Sequence, residues 1–486
     1  MATTINLRKL LHRKAWEACT SLPAVTAAGS FIVSDKFDLI NGARAFAVLN
    51  ASSIWMYEGL EDAWMQLPNS GITGTFAAGS CGEFRGLGAM GGSFTQTATA
   101  GTTTTITTNR TIVRSMAGQK IRVVAGTGVG YEGTVASNTL AANAIVTVTP
   151  ASAVAFDATT QYQIYSGSLW FFNAGTVAVG FSVYDLATNA WTARSVTGLP
   201  TAWGTEGQLV STMGSASVFA SGTATAGAAT TLTNSAKAWA TNMWANYQVR
   251  ITAGTGKGQI RSISSNTGTV LTVSTAWTVT PDATSVYSIE GNDDQFFLFG
   301  NNAVTAYKYV QSTNTWSTLA PTAARAGAFG AGATAGWIDG VVAWNGVETA
   351  VAHYSTTVFK QNGRYIYSFR GAASSTLDIY DIAANTWISG VAYGGQQETF
   401  TTGTAAKDIN GAIYIAKEAT GRSFRFDVDT NRLLPFSTNT NQVALGGAAV
   451  AGDKSFFLPY NDGGTELLFL YTVRHSAPDL TRMLLI

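Results

Sequence analysis

The chain has 486 residues, room for more than one domain or for one large β-architecture, and a formal net charge of +1. Near-neutrality leaves no electrostatic footprint for nucleic acid or an anionic membrane. Two cysteines and three scattered histidines give neither a disulfide framework nor metal-ligand spacing. Charged residues are only 12% of the chain, against a usual figure of roughly 25%. Much of the surface must therefore be neutral and small, as on a protein whose faces are covered by neighbours or on a loop-rich β protein with a Thr/Ser/Asn surface.

Residues 1–20 predict a short helix, with Ile5, Leu7, Leu10 and Leu11 apolar and Arg8, Lys9, Arg13 and Lys14 charged. Such a segment docks on the body or acts as a peg that inserts into a partner subunit. It has no long apolar core with a small-residue cleavage site, so it does not read as a secretion signal. No apolar run anywhere reaches the roughly 18–20 residues of a membrane span.

From residue 21 the pattern is β throughout. The run "ARAFAVLN" at 43–50 leads to a strand ending in Tyr57, a turn, and a strand opening with Trp64 in "YEGLEDAW". The same corner returns as Tyr184/Trp191 in "YDLATNAW", Tyr309/Trp316 in "YVQSTNTW" and Tyr380/Trp387 in "YDIAANTW". It weakens to Phe426/Leu433 in "FDVDTNRL" and ends in a degenerate "YTVRHSAP" from Tyr471. Aromatic runs such as "GSLWFFN", "DQFFLFG", "GRYIYSFRG", "GAIYIAK" and "DKSFFLPY" accompany these corners. Gly/Ala-rich runs such as "GLGAMGGSF", "GAFGAGATAG" and "VALGGAAVAG" precede most of them. A small-residue strand, an aromatic strand, a strand ending in Tyr and a strand opening with Trp make a four-stranded blade, repeated about six times round an axis. Asn and Gly suit the turns because they tolerate positive φ.

Two corner spacings are too long for a blade, and the surplus is itself duplicated. "TATAGTTTTITT" at 97 matches "TATAGAATTLTN" at 223, "VVAGTGVGYEGTVASNT" at 123 matches "ITAGTGKGQIRSISSNT" at 251, and "FDATTQYQIYSG" at 156 matches "PDATSVYSIEG" at 281. Each copy reads as a small β-barrel or sandwich entering between the first and second strands of a blade, so the copies stand side by side on one face. The expected order is an N-terminal helical segment 1–20, propeller at 21–94, an inserted β-domain at 95–167, propeller at 168–220, the second insert at 221–291, and propeller at 292–486.

Catalytic motifs are weak. "AGTGKGQ" at 253–259 lacks the Gly-Lys-Ser/Thr of a phosphate loop, and its sister "AGTGVGY" lacks the lysine. Glycoside hydrolysis needs only two carboxylates. The candidate acids are Glu61, Asp62, Glu83, Glu206, Asp293, Asp294, Asp339, Glu348, Glu398 and Asp408. Asp185, Asp381 and Asp427 share one corner position and read as turn-formers. The Ser-x-Asp-x-Gly-x-x-Trp box of sialidases and the Cys/Tyr/His set of copper-radical oxidases are absent from the sequence.

The aromatic strand, the Tyr-ending strand and "TNxW" resemble the blades of kelch-type propellers. Of that family's paired glycines, only "FRG" at 369–371 and "LFG" at 298–300 hint at a counterpart. The resemblance implies a propeller in which Tyr57, Trp64, Tyr184, Trp191, Tyr309, Trp316, Tyr380, Trp387, Phe426 and Leu433 are blade anchors, with the tryptophans packing between blades. The "GTAT…AGTGxG…SNT…DAT" module resembles domains of tailed-bacteriophage structural proteins. That likeness implies a non-enzymatic virion component of a tail, neck or capsid surface, assembled in the host cytoplasm. Its partners would be other virion proteins, copies of itself and a host surface glycan, with no cofactor and no catalytic or metal residues. The alternative is a propeller that binds or cleaves carbohydrate at the mouth of the disk.

Overall fold

The computed structural model describes residues 17–484 except 25–28, 35–43, 50–52, 59–61, 71, 73–75, 86–94, 109–119, 140, 142, 166–167, 176–177, 186–189, 205, 212–217, 291–294, 312, 331–332, 338–353, 356–357, 360–364, 401–403, 410–411, 418–421, 429, 439–454, 463–464 and 474–479. All regular elements among the described residues are strands. This suits a chain whose apolar runs are short, aromatic and β-branched and are bounded by Gly and Asn.

Five sheets have four strands each. In chain order, sheet 1 is Phe31–Ser34, Arg44–Leu49, Ser53–Glu58 and Ala63–Leu67. Sheet 2 is Cys81–Arg85, Ser168–Asn173, Gly180–Asp185 and Ala190–Ala193. Sheet 3 is Gly207–Ser211, Gln295–Gly300, Tyr307–Val310 and Thr315–Thr318. Sheet 4 is Thr334–Trp337, Tyr365–Phe369, Leu377–Asp381 and Thr386–Val391. Sheet 5 differs: Thr404–Ile409, Ala412–Lys417, Arg422–Asp427 and Arg432–Thr438 gain a fifth strand, Gly394–Gly395, paired in parallel. Sheet 6 is Ser455–Asp462, Thr465–Val473 and Leu480–Leu484, completed by Glu17–Cys19 from the other end of the chain. The first strands of successive sheets lie against one another from sheet 1 to sheet 6 and back to sheet 1, which is the propeller-like arrangement.

Several expectations change. Four-stranded blades number five, not six, because Gly394–Gly395 adds to sheet 5. Residues 17–19 of the expected N-terminal helix form a strand, while residues 1–16 lie outside the described residues. An outermost strand supplied by the far end of the chain satisfies the last sheet's edge. Tyr471 opens no corner, since its ladder partner is Arg482 rather than the residue seven positions on. The run "FFLPY" lies in the first strand of sheet 6, not the second. Innermost strands also carry large side chains such as Phe31, Val33 and Phe84, and smallness is needed only locally. A Cβ on Gly82, for example, would sit 2.8 Å from Phe31, Val33 and Phe171. The runs 86–94 and 443–452 lie outside the described residues.

Between paired strands of sheet 2, residues 95–165 form a seven-stranded sheet of their own, and residues 218–290 do the same within sheet 3. The first strand of each bends and pairs at both margins. Thr95–Thr97 joins Gln161–Tyr165, while Ala100–Gly101 joins Thr105–Thr107. Across the bend Ala98 N donates to Thr160 O and Thr99 N to Thr107 O, both at 2.9 Å. Ala224 and Thr225 repeat this toward Ser285 and Thr233 in the second copy. Among the described residues the bent first strand thus spans both margins of each sheet and curls it toward a barrel. These are barrel A and barrel B; barrel B begins at Val218, ahead of the expected 221. Sheet 4 is interrupted at the same connection, by residues 338–364 with the hairpin Tyr354–Ser355/Val358–Phe359, which the sequence reading passed over.

The apolar cores lie between neighbouring sheets. One joins sheets 1 and 2 through Phe31, Phe46, Phe84 and Phe171. Others join sheets 2 and 3 through Trp170, Phe181, Phe296 and Trp316, and sheets 4 and 5 through Tyr367, Phe369, Phe424 and Phe426.

Candidate functional site

The repeated corner is a stitch between sheets. In each copy the Tyr and the Trp seven residues on are ladder partners: Tyr57↔Trp64, Tyr184↔Trp191, Tyr309↔Trp316, Tyr380↔Trp387, and likewise Phe426↔Leu433. The four Tyr–Trp ring pairs stand 4.9–5.2 Å apart at nearly one tilt. The residue five after the Tyr takes positive φ: Asp62, Asn314, Asn385 and Asn431 all lie at 50–52°. Its Oδ1 accepts the tyrosine hydroxyl at 2.6 Å from Tyr57, 2.8 Å from Tyr309 and 2.7 Å from Tyr380.

The free side of the same residue holds the segment leaving the preceding sheet. Thr20 N donates to Asp62 at 2.9 Å, Ser195 N to Asn314 Oδ1 at 3.0 Å, Asn385 Nδ2 to Ala320 O at 2.9 Å and Asn431 Nδ2 to Ala392 O at 2.8 Å. Trp191 Nε1 adds a bond to Pro68 O at 2.7 Å. Trp316 packs edge-on against Phe181 of sheet 2, and Trp387 against Phe299 of sheet 3. Burial first, then the neighbouring Asp185 carboxylate, pushes the Tyr184 hydroxyl up to about 12, and burial and Asp381 raise Tyr380 as well. These phenols stay protonated at neutral pH, and Tyr380 donates to Asn385.

A second stitch ties the segment that follows sheet 3 to sheet 4. Asp378, fully buried, accepts from Arg325 Nε and from Arg370 Nε and Nη2, each at 2.8 Å, and from Gly390 N at 3.0 Å. Arg325 also donates to Ser368 Oγ and lies over the rings of Phe329 and Trp387. Burial pulls the Arg325 guanidinium down, while hydrogen bonding to Asp378 holds Arg370 up. Both guanidiniums remain charged, so one buried carboxylate serves two cations, Arg325 buried and Arg370 half-buried.

The candidate acids are dispersed. Asp62 sits in the sheet 1 corner, and Glu83 is buried on the first strand of sheet 2, opposite Trp170. Glu206 takes φ 49°, and its carbonyl accepts Trp203 Nε1 at 2.8 Å. Glu398 is buried and bound by Arg422 at 2.8 Å. Asp408 lies on the first strand of sheet 5. Glu61, Asp293, Asp294, Asp339 and Glu348 lie outside the described residues. Asp381 and Asp427 accept from Ala384 N and Thr430 N, as turn-formers do. Among the described residues no group of three or more His, Cys, Asp or Glu could hold a metal ion.

The "AGTGxG" runs are hairpin tips latched to the "DAT" loops. Thr127 Oγ1 donates to Asp157 Oδ2 at 2.7 Å, Thr159 N and Oγ1 donate to Asp157 Oδ1 at 2.8 and 2.6 Å, and Thr160 Oγ1 donates to Thr127 O at 2.8 Å. Barrel B repeats each bond with Thr255, Asp282, Thr284 and Ser285 within 0.1 Å. Any Cβ at Gly126 or Gly254 would strike the Thr159 or Thr284 carbonyl, and both glycines have φ above +70°. Hydrogen bonds, first from Thr159 and Thr284, hold the carboxyls of Asp157 and Asp282 below the ordinary range. The latch cross-braces the barrel and consumes the loop that a phosphate would need.

Sequence reading found the Tyr and Trp of each corner but missed the Asn between them as the acceptor, although "TNxW" recurs. It also missed Arg325–Asp378, because these residues lie 53 positions apart with no motif to connect them.

No protein-family model matches the chain, and no curated protein does. Among solved structures it is similar to the fucose-recognising fungal lectin from Aleuria aurantia, a six-bladed β-propeller, at 8% identity over 96% of this chain and 94% of that one, TM-score 0.37. It is also similar to the endosialidase of phage phi92, at 8% identity over 97% and 69%, TM-score 0.32. TolB from Acinetobacter baumannii follows at 9% identity over 94% and 80%, TM-score 0.24. The propeller-like arrangement rests on the strand order above rather than on these likenesses.

Proposed function

We propose that the chain is a non-enzymatic structural component of a tailed-phage virion: a kelch-like ring carrying two inserted β-barrels that contact neighbouring subunits or the host surface. The observation that carries this reading is the duplicated barrel. Two copies, alike bond for bond in their latch, stand at the same connection of adjacent sheets, and their sequence module resembles domains of tailed-phage structural proteins. The corner asparagines are taken up in holding the segment that leaves the preceding sheet, and Asp378 in holding Arg325 and Arg370, as a scaffold requires. Quantitative mass spectrometry of purified virions tests the reading. A fixed copy number per particle is expected, and absence from particles would overturn it.

A second reading, a carbohydrate-binding or carbohydrate-cleaving propeller, draws support from Glu83, a buried carboxylate on an innermost strand. It predicts glycan binding or hydrolysis that Glu83→Gln abolishes while the melting temperature is unchanged.

A further inference from the structure

One backbone position recurs at the mouth of the ring, where the innermost strands begin. The penultimate residue of the second strand fixes the register: Val48 faces Phe31, Phe172 faces Cys81 and Phe299 faces Gln208 in sheets 1, 2 and 3. Two residues before those partners stand Gly29, Gly79 and Glu206. All three take positive φ, at 85°, 92° and 49°. The chain must therefore adopt a left-handed conformation as it turns into the innermost strand. Glycine does this freely, whereas a residue with a Cβ does it against steric repulsion.

Sheet 3 places a glutamate there. Among the described residues twelve non-glycine residues have positive φ, and nine of them are Asn or Asp, whose short side chains tolerate it. Ala372, Ala373 and Glu206 are the exceptions, and of these only Glu206 carries a titratable group. A carboxylate held against backbone sterics, where two sister sheets use glycine, points to a role beyond the fold.

The backbone around it is fixed. Glu206 O accepts Trp203 Nε1 at 2.8 Å and Asn301 N at 3.0 Å. A Cβ on the adjoining Gly207 would strike Gly79 O of sheet 2, and one on Gly300 would strike Glu206 O. Glu206 thus sits where sheets 2 and 3 meet, with its side chain half-buried. Residues 200–210 and 299–306, the two segments joined at its carbonyl, carry no other charge. They offer exposed Gly204 and Asn302, Val304 exposed at 48%, and Asn301, whose Oδ1 accepts Gly204 N at 2.8 Å. One carboxylate is too few for a hard metal ion, which takes about six or more oxygens, and it repels an anion. An ionised carboxylate only accepts hydrogen bonds, so its ligand must donate, and neutral hydroxyls do so without a counter-charge.

We infer that Glu206 is a binding residue at the mouth of the ring, and that its ligand is a glycan whose hydroxyls donate to the carboxylate. This rests on the carbohydrate-binding reading, assigns no hydrolysis, and uses a contact separate from Glu83.

A glycan array probed with the full chain, followed by calorimetric titration of the best-bound glycan and thermal unfolding, tests it. The wild-type chain is expected to bind. Glu206→Gly should weaken binding at least tenfold without lowering the melting temperature, because the left-handed strain it relieves offsets the unfolded-chain entropy that glycine adds. Glu206→Gln keeps the side chain's size and should weaken binding similarly. A lower melting temperature in Glu206→Gly would make the side chain structural and overturn the proposal. Either variant binding like wild type would also overturn it, while leaving the carbohydrate reading standing on Glu83. A wild-type chain that binds no glycan would overturn both.

Discussion

Barrels A and B are one module seated in two ways. Barrel A closes its own core, with Ile106, Ile121, Val135, Val146, Tyr162 and Ile164 forming a cluster separate from the ring. Barrel B has no such boundary. Its interior, with Trp239, Trp244 and Tyr247, belongs to one continuous cluster with Val210 and Phe297 of sheet 3, Trp387 of sheet 4 and Ile382 of the sheet 4 corner. Asn246 Nδ2 also donates to Ile382 O at 3.1 Å, beside the sheet 4 corner. Arg122 of barrel A is exposed, whereas its counterpart Arg250 in barrel B is buried. Insertion at equivalent connections therefore does not make equivalent domains. What decides is whether the module buries apolar surface against its host.

Excision gives the largest test of that difference. Replacing 97–165 by a short linker should leave the ring's melting temperature nearly unchanged. Replacing 223–290 should lower it steeply, because it uncovers the apolar surface of sheets 3 and 4. Equal effects of the two excisions would break the comparison.

Single residues sharpen it. Trp244→Ala should cost about 3–5 kcal/mol and destabilise sheets 3 and 4 together with barrel B. Ile121→Ala should cost about 2–5 kcal/mol and loosen barrel A alone. Hydrogen exchange resolved by peptide separates the two patterns.

The ring stitches respond more weakly. Tyr309→Phe removes one hydroxyl and leaves Asn314 Oδ1 with the Ser195 amide, a loss of about 1 kcal/mol in urea unfolding. By the same measure Trp64→Ala, half-exposed in its corner, should cost less than Trp316→Ala or Trp387→Ala, which are buried.

The smallest effect belongs to the latches, and it should be equal in both barrels. Asp157 and Asp282 have carboxyls held below their unfolded values. The stabilisation they give is therefore present above the unfolded carboxylate range and is lost as pH falls through the lower folded values. Acid below about pH 4 should loosen both hairpin tips in parallel, seen as faster exchange at 126–131 and 254–259. D157N and D282N should each remove the pH dependence in their own barrel only.

The corners and the duplication were legible because both are internal alignments. A Tyr–Trp pair recurring at one spacing, and a module present twice, expose what is invariant within a single chain. Ring closure was not legible, because Glu17–Cys19 is a three-residue strand with no alternation to read. The strand count of sheet 5 was equally hidden, since Gly394–Gly395 joins through backbone bonds alone. Of the Gly/Ala runs expected as innermost strands, 327–336 reaches one, Thr334–Trp337, and the other two lie outside the described residues; elsewhere innermost strands carry bulk, because proximity to the axis limits it only where a neighbouring side chain intrudes, as at Gly82.

The claim that barrel B shares the ring's core while barrel A keeps its own is tested most directly by native-state hydrogen exchange of the full chain across a urea series. The account predicts that peptides of 218–290 lose protection in the same step as sheets 3 and 4, while peptides of 95–165 lose it in a step of their own. Separate opening of both barrels, or opening of both together with the ring, would contradict it.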